Sequence, residues 1–494
     1  MKTGRLRQTI SRLVLGALLL VAQAPRAFAL DTELPDLGNS AGSLMTPKSE
    51  RDLGKAFMRS VRRSQNVMED PLLTDYIQRL GKRLVESSGA RGTPFHFFLI
   101  DDPRINAFAG PGGYIGIFTG LLTTTETESE LAAVVAHEIA HVTQQHLLRA
   151  WESASRMSIP NAALLLAAIA LGAAVGGDAA AAAAIGGQAA LIQQQINFTR
   201  ANEKEADRVG IDILNEAGFE PRAMPSFFAR MGKATRVYDS KLPEFLRTHP
   251  VTTSRTADAL GRAEQFPYRQ NPQHLSYELA RINLLQRQIP RPEDAIDELG
   301  GMLDDGRFRN ESAARYGIAL AQIRAKRLGD ATGNLRQLQQ MHPEVIEFIA
   351  TLAQAEALQG NGDVALRLLE RALVDHPGSY ALNVTYAEIA LALGAPDKAE
   401  EKLGRFLNYQ DEEPVVYQLL ARAAGDRGEQ AIGHQRLSDY YYLIGDLDAA
   451  ILQLEIALKT QELNFFDASR LEARLAQLKR EQDESESGGR KAKP

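Results

Sequence analysis

The spacing of apolar residues changes character along this chain, and each change predicts an element. Ile77, Leu80 and Leu84 recur among polar residues at helical intervals within 51–90. Phe95 to Asp101 (FHFFLID) is a short aromatic and apolar run, which predicts a strand. Asn106 to Gly120 (NAFAGPGGYIGIFTG) holds a Pro-Gly-Gly turn and then alternates at Ile115 and Ile117, predicting a turn into a second strand. A helix follows from about Glu126, with Leu131, Val134, Val135, Ile139 and Val142 on its apolar face. Two Ala/Leu-rich arms, 161–175 and 179–192, flank Gly176-Gly177-Asp178. Each arm is too short and too alanine-rich to cross a bilayer, and the break carries an acid. A helical hairpin packed on the protein is the expectation for 161–192, with peripheral membrane contact as the alternative.

From about residue 275 the texture becomes Ala/Leu/Glu/Arg helices with short Gly-Asp turns. Ala331, Ala365 and Ala399 are 34 residues apart, as are Pro343 and Pro377. Each of these alanines follows a turn, Leu328-Gly329-Asp330, Gly360-Asn361-Gly362-Asp363 and Gly394-Ala395-Pro396-Asp397, and Gly445-Asp446 with Ala450 and Ala457 repeats the look. A helix-turn-helix period of this length is the tetratricopeptide signature. The alanine is needed because two helices cross too closely there for a larger side chain. Such an array offers a curved surface for peptide segments or partner proteins and carries no chemistry of its own.

The ends and the composition narrow the class. Lys2, Arg5, Arg7 and Arg12 precede the apolar stretch Leu13 to Ala22, and Ala27-Phe28-Ala29 is a small-x-small cleavage site. Residues 1–29 therefore read as a secretory signal peptide. Its removal, with Arg26, takes the formal charge of the 494-residue chain from −6 to −11. Residues 30–50 are expected to run extended, and 481–494, charged and Ser/Gly-rich, to form a disordered tail. An acidic chain argues against a nucleic-acid partner. Apolar residues at 44% and charged residues at 24% are ordinary for globular domains and exclude a polytopic membrane protein. The chain has no cysteine, which removes disulfides, a thiol nucleophile and thiolate metal sites. Nothing here conflicts with a bacterial periplasm.

The chemistry is carried by few residues. His137-Glu138-Ile139-Ala140-His141 is H-E-x-x-H within the apolar helix. Histidines four apart share a helix face and can reach one metal ion, and Glu138 beside them can face the water at that ion. A chain with nine histidines shows this pattern by chance on the order of once in a hundred times. A hydrolytic zinc needs a third protein ligand and one open position. Glu203-Lys204-Glu205-Ala206-Asp207 opens a helical stretch, so that Glu203 can complete the set and Asp207 can accept the free N–H of a ligand imidazole. Asp and Glu also favour first turns of solvated helices; the upstream H-E-x-x-H tips the reading toward a ligand. Leu246-Arg247-Thr248-His249-Pro250 and Arg255 offer donors for a tetrahedral oxyanion. His146, five residues past His141, lies about 140° away on a continuous helix and is left out as a ligand.

These motifs, with T-H-P-V-T-T-S-R at 248–255 and NAFAGPGGYIGIFTGLL before the metal helix, resemble the M48 family of zinc metallopeptidases. The resemblance covers nearly all of 32–470. It implies a mainly α fold: an α+β zincin-type domain with a small β-sheet over 30–270, then an α-solenoid of tetratricopeptide repeats over 271–480. It implies one Zn2+ per chain on His137, His141 and Glu203, with Glu138 as catalytic acid/base. His249 would be a regulatory fourth ligand or an oxyanion stabiliser, and the strand near Gly113 to Phe118 would take substrate backbone as an added strand. Family members of this architecture act as chaperone and protease on outer-membrane β-barrel and lipopolysaccharide-transport proteins, contacting the barrel-assembly machinery through the repeats. The competing expectation is a repeat scaffold or chaperone whose metal site is latent.

Overall fold

The computed structural model describes residues 46–90, 92–147, 200–237, 244–269, 274–410, 412–460 and 463–490. The expected signal peptide and the expected 161–192 hairpin lie outside them. Among the described residues no helix is long and apolar enough to cross a membrane.

Two helices open the fold, α1 (Pro47–Ser64) and α2 (Pro71–Glu86). Each starts on a capping side chain followed by proline: Thr46 Oγ1 accepts from Ser49 N–H, and Asp70 Oδ1 from Leu72 and Leu73 N–H. Three strands follow, β1 (His96–Ile100), β2 (Ala107–Ala109) and β3 (Tyr114–Phe118), in the order β1-β3-β2. β1 runs parallel to β3, and β2 antiparallel to it. The strand expected to take substrate at its edge is therefore the central one, with both edges already paired. Gly116 makes this possible: a Cβ there would meet the Phe108 ring at 2.4 Å and the Phe98 ring at 2.9 Å, so only glycine admits aromatic rings from both neighbours. The outer edge of β1 is covered by the Val67 bridge and by Gln78 Nε2, which donates to Phe97 O.

After the short α3 (Thr119–Thr124) comes α4 (Glu128–Thr143), capped by Thr127, whose Oγ1 accepts from Glu130 N–H while Glu130 accepts from Glu126 N–H. Its alternating apolar and alanine residues leave no solvent face, and every residue from Glu128 to His141 is buried. α5 (Arg200–Glu216) packs along it, closely enough that a Cβ on Gly210 would sit 3.2 Å from His137 N. α6 (Ala223–Val237), α7 (Glu244–Thr248) and α8 (Thr253–Ala263) complete this core.

Antiparallel helix pairs run from Leu275 onward. Ala331, Ala365 and Ala399 are fully buried where successive helices cross. Gly360, Gly394 and Gly428 turn the chain in left-handed conformations at the same period, and Lys326 occupies the equivalent position with φ 61°. The repeats lie on α1, α2 and the sheet. Arg79 pairs with Glu347 at 2.6 Å, Asp75 accepts from Tyr380 N–H at 2.9 Å, and Glu412 bonds Tyr114 and, at 3.0 Å, Lys55. The final helix runs Phe465–Arg490, so the segment expected to be disordered from Glu481 continues as helix to Arg490. Glu481 takes Arg59 and the Tyr442 hydroxyl.

Candidate metal centre

The buried α4 presents His137 and His141 on one face, and their Nε2 atoms lie 3.0 Å apart. α5 brings Glu203 to them, its oxygens 3.6 Å from His137 Nε2 and 3.5 Å from His141 Nε2. The turn after α7 adds His249, with Nδ1 3.1 Å from Glu203 Oε1 and 3.3 Å from His137 Nε2. The ring of Phe245, itself fully buried, lies against His249 with centroids 5.2 Å apart. Donor atoms of all four residues fall within 4.8 Å of one another, and all four are buried.

The donor set fits a cation on chemical grounds. Asp207 Oδ1 lies 3.0 Å from His137 Nδ1, where its charge favours the imidazole proton on that nitrogen and leaves the Nε2 lone pair to the cluster. Several lone pairs and a carboxylate then converge in a space without water's dielectric. Burial pushes the His137 pKa down, but Asp207 and Glu203 override it and hold it up to about 9. A carboxylate field strong enough to bind an extra proton there also suits a metal ion. Burial pushes Glu203 up, yet His249 and His137 keep it well below the usual carboxylate range. Burial, with His137 next to it, drives His141 well below an ordinary histidine. Imidazole nitrogens with one carboxylate and no thiolate suit zinc among the common metals.

Glu138 is also buried, and burial raises its pKa. The backbone N–H of Ala109, on β2, lies near its carboxylate and offsets part of that rise. Glu138 Oε1 makes no hydrogen bond among the described residues, with His249 Nε2 3.5 Å away. In the β2–β3 pairing, Gly110 N–H donates to Tyr114 O and Phe118 N–H to Asn106 O, so the amides of Ala107 and Ala109 face the outer edge, toward Glu138.

Arg255, expected among the oxyanion donors, reaches the site with its guanidinium engaged by carboxylates. Its Nε and Nη2 hold the two oxygens of Asp207 at 2.8 and 2.7 Å, and Nη1 lies 2.8 Å from Glu203 Oε2 and donates to Pro250 O. All three nitrogens are engaged, so it orients the carboxylates. Arg247 points elsewhere and pairs with Glu244.

His146, left out as a ligand, is not among the four grouped donors but lies beside them. α4 ends at Thr143, and Gln145 turns with φ 54°. His146 is therefore off the helix, buried, with Nδ1 2.9 Å from His141 Nδ1. A continuous period was the wrong assumption, and no residue in the sequence signals the turn, because glutamine rarely adopts this conformation.

Comparisons with known proteins place this site within a family. The model of peptidase family M48 matches residues 71–263, and a tetratricopeptide repeat model matches 356–423. The β-barrel assembly-enhancing protease of Yersinia pestis is 34% identical over 447 residues, 90% of this chain and 92% of that protein.

The chain belongs to peptidase family M48.

The protein of the same designation from Escherichia coli K12 is 35% identical over 468 residues, 94% of this chain and 96% of that one. A mitochondrial metalloendopeptidase of Schizosaccharomyces pombe is 31% identical over 182 residues, 37% of this chain and half of the other. This M48 protein is a metallopeptidase of mainly α fold with a small three-stranded sheet, and it carries tetratricopeptide repeats.

Proposed function

We propose that this M48 metallopeptidase is a periplasmic zinc endopeptidase and chaperone in outer-membrane protein quality control, assisting β-barrel assembly and degrading misassembled chains. The single observation that carries the chemistry is the convergence of His137, His141 and Glu203 beside a buried Glu138 with raised pKa. Those three residues are the proposed zinc ligands. Zinc bound there supplies a Lewis acid that polarises the scissile carbonyl and acidifies water. Glu138 takes the proton of the attacking water and later gives it to the leaving amine. Asp207 fixes the His137 tautomer, and Arg255 fixes Asp207. The proposed place for substrate backbone is the outer edge of β2, next to Glu138, where main-chain pairing gives affinity without sequence choice. The role in β-barrel assembly is suggested by what the full-length bacterial relatives are called. The repeats are the proposed contact with the barrel-assembly machinery and with lipopolysaccharide-transport proteins, and 30–270 and 271–480 the proposed working units.

His249 favours a second reading. It stands among the donors, where it would close the fourth position and hold the enzyme latent. A mostly silent site on a chaperone scaffold is then the alternative.

One experiment separates them: zinc content and cleavage of an unfolded outer-membrane protein for wild type, Glu138→Gln and His249→Ala. The peptidase reading expects about one zinc in each, a loss of roughly 100- to 10,000-fold in Glu138→Gln, and faster cleavage by His249→Ala. Zinc in all three with no cleavage by any puts the scaffold reading first.

A further inference from the structure

His146 and Glu205 belong to no step described above, yet they continue the site outward. His146 is 1% exposed, and its ring stands edge-on to that of His141 at 4.9 Å between centroids. Its Nδ1 is 2.9 Å from His141 Nδ1, and its Nε2 is 3.2 Å from Glu205 Oε2. Glu205 lies in α5 between Glu203 and Asp207, and its side chain is 32% exposed.

We infer that His146 and Glu205 form a relay that positions His141 for the metal. The distances fit an arrangement of neutral imidazoles. With a cation held by this donor group, His141 Nε2, which faces Glu203 and His137 Nε2, turns its lone pair there and carries its proton on Nδ1. That N–H is buried and needs an acceptor, which His146 Nδ1 provides. An accepting Nδ1 places the His146 proton on Nε2, where the Glu205 carboxylate accepts it. The chain therefore reads carboxylate, imidazole, imidazole, metal. It matches the shorter path on the other ligand, in which Asp207 faces His137 directly. The E-x-E-A-D segment thus serves both histidines: Asp207 orients His137 directly, Glu205 orients His141 through His146, and Glu203 binds. Fixed tautomer and ring orientation raise ligand basicity. The left-handed turn at Gln145 is the device that brings His146 back to the helix it has just left.

This inference rests on the metal-centre reading, and the test keeps the two apart. Zinc affinity of the full chain is measured by chelator competition for wild type, His146→Ala, His146→Asn, Glu205→Ala and His137→Ala, with no assay of activity. His146→Ala is expected to weaken zinc about 10- to 100-fold. His146→Asn, whose amide can still accept from His141, is expected to recover most of that loss, which a purely structural role would not produce. Glu205→Ala should weaken zinc several-fold, and the visible spectrum of the cobalt-substituted protein should shift in His146→Ala. His137→Ala should bind no zinc. Unchanged affinity in His146→Ala and Glu205→Ala, or equal losses in the His146→Ala and His146→Asn variants, overturns the relay. A wild type without affinity for zinc overturns the metal-centre reading and the relay with it. Should His146→Ala misfold, the comparison of His146→Asn with Glu205→Ala decides.

Discussion

The Arg255 guanidinium grips Asp207 through both carboxylate oxygens, at 2.8 and 2.7 Å, and both side chains are buried. Removing the arginine leaves a buried carboxylate without its partner. Arg255→Ala is expected to cost about 3–5 kcal/mol in urea unfolding of the metal-free protein. Arg255→Lys should fall between, because an ammonium cannot reproduce the fork. Adding Arg255→Ala to Asp207→Asn should cost less than the sum of the two. A loss under about 1 kcal/mol for Arg255→Ala would contradict this view of the pair.

Gly210 sets the distance between the helix that carries Glu203 and the one that carries the histidines. An added Cβ would lie 3.2 Å from His137 N, 3.3 Å from its Cα and 3.0 Å from Met224 Cε. Overpacking costs about 1–3 kcal/mol and outweighs the roughly 1 kcal/mol that alanine gains in a helix. Gly210→Ala is expected to lower the urea midpoint and to weaken zinc binding together. Both are read on one preparation, and a variant with unchanged affinity refutes the spacing argument.

The raised pKa of His137, about 9 in the metal-free protein, has a sign that can be checked. A histidine with a raised folded value adds stability that is complete below its unfolded value of 6.5 and is lost as pH rises through about 9. Metal-free protein should therefore lose stability over that window, by at most about 3 kcal/mol. Zinc competes with the same proton, so its apparent affinity should rise about tenfold per pH unit below that value. Urea titrations at several pH values and chelator competition test the two halves, and Asp207→Asn should flatten both.

Lys326 holds the left-handed turn position that glycine fills at 360, 394 and 428. The conformation costs a non-glycine residue about 1–2 kcal/mol, and glycine returns part of that gain through the freedom of its unfolded chain. Lys326→Gly is expected to stabilise the protein by about 0.5–1 kcal/mol, read as a higher thermal midpoint. A lower midpoint would show that the lysine side chain does more than tolerate the turn.

Much of this was legible because it is local. H-E-x-x-H four apart on a helix brings two imidazoles to one face whatever the surroundings, and alanines at a fixed period mark helix crossings in any solenoid. The aromatic run at 96–100 and the alternating run at 114–118 became strands within a residue or two of expectation. Three things were not legible. The order of the strands depends on which neighbours pair, and Gly116 admits both; nothing in the alternation of Ile115 and Ile117 says that β3 is central. The part played by Arg255 depends on which acceptor it meets first, and in the fold that is Asp207 rather than open space near the donors. The helix that runs on past Glu481 to Arg490 meets Arg59, more than 400 positions earlier, at Glu481.

The amino-acid sequence by itself determined the pairing of the two histidines on one helix face, the helices of the centre and the repeating architecture that follows, since each of these follows from spacing along a few turns of chain. The tertiary structure alone decided which strand is central, the engagement of Arg255, the closeness of His249 to the donors and the return of His146 to His141. These depend on contacts between segments far apart in the chain and, for His146, on one residue in an uncommon backbone conformation. Local periodicity carries no record of either.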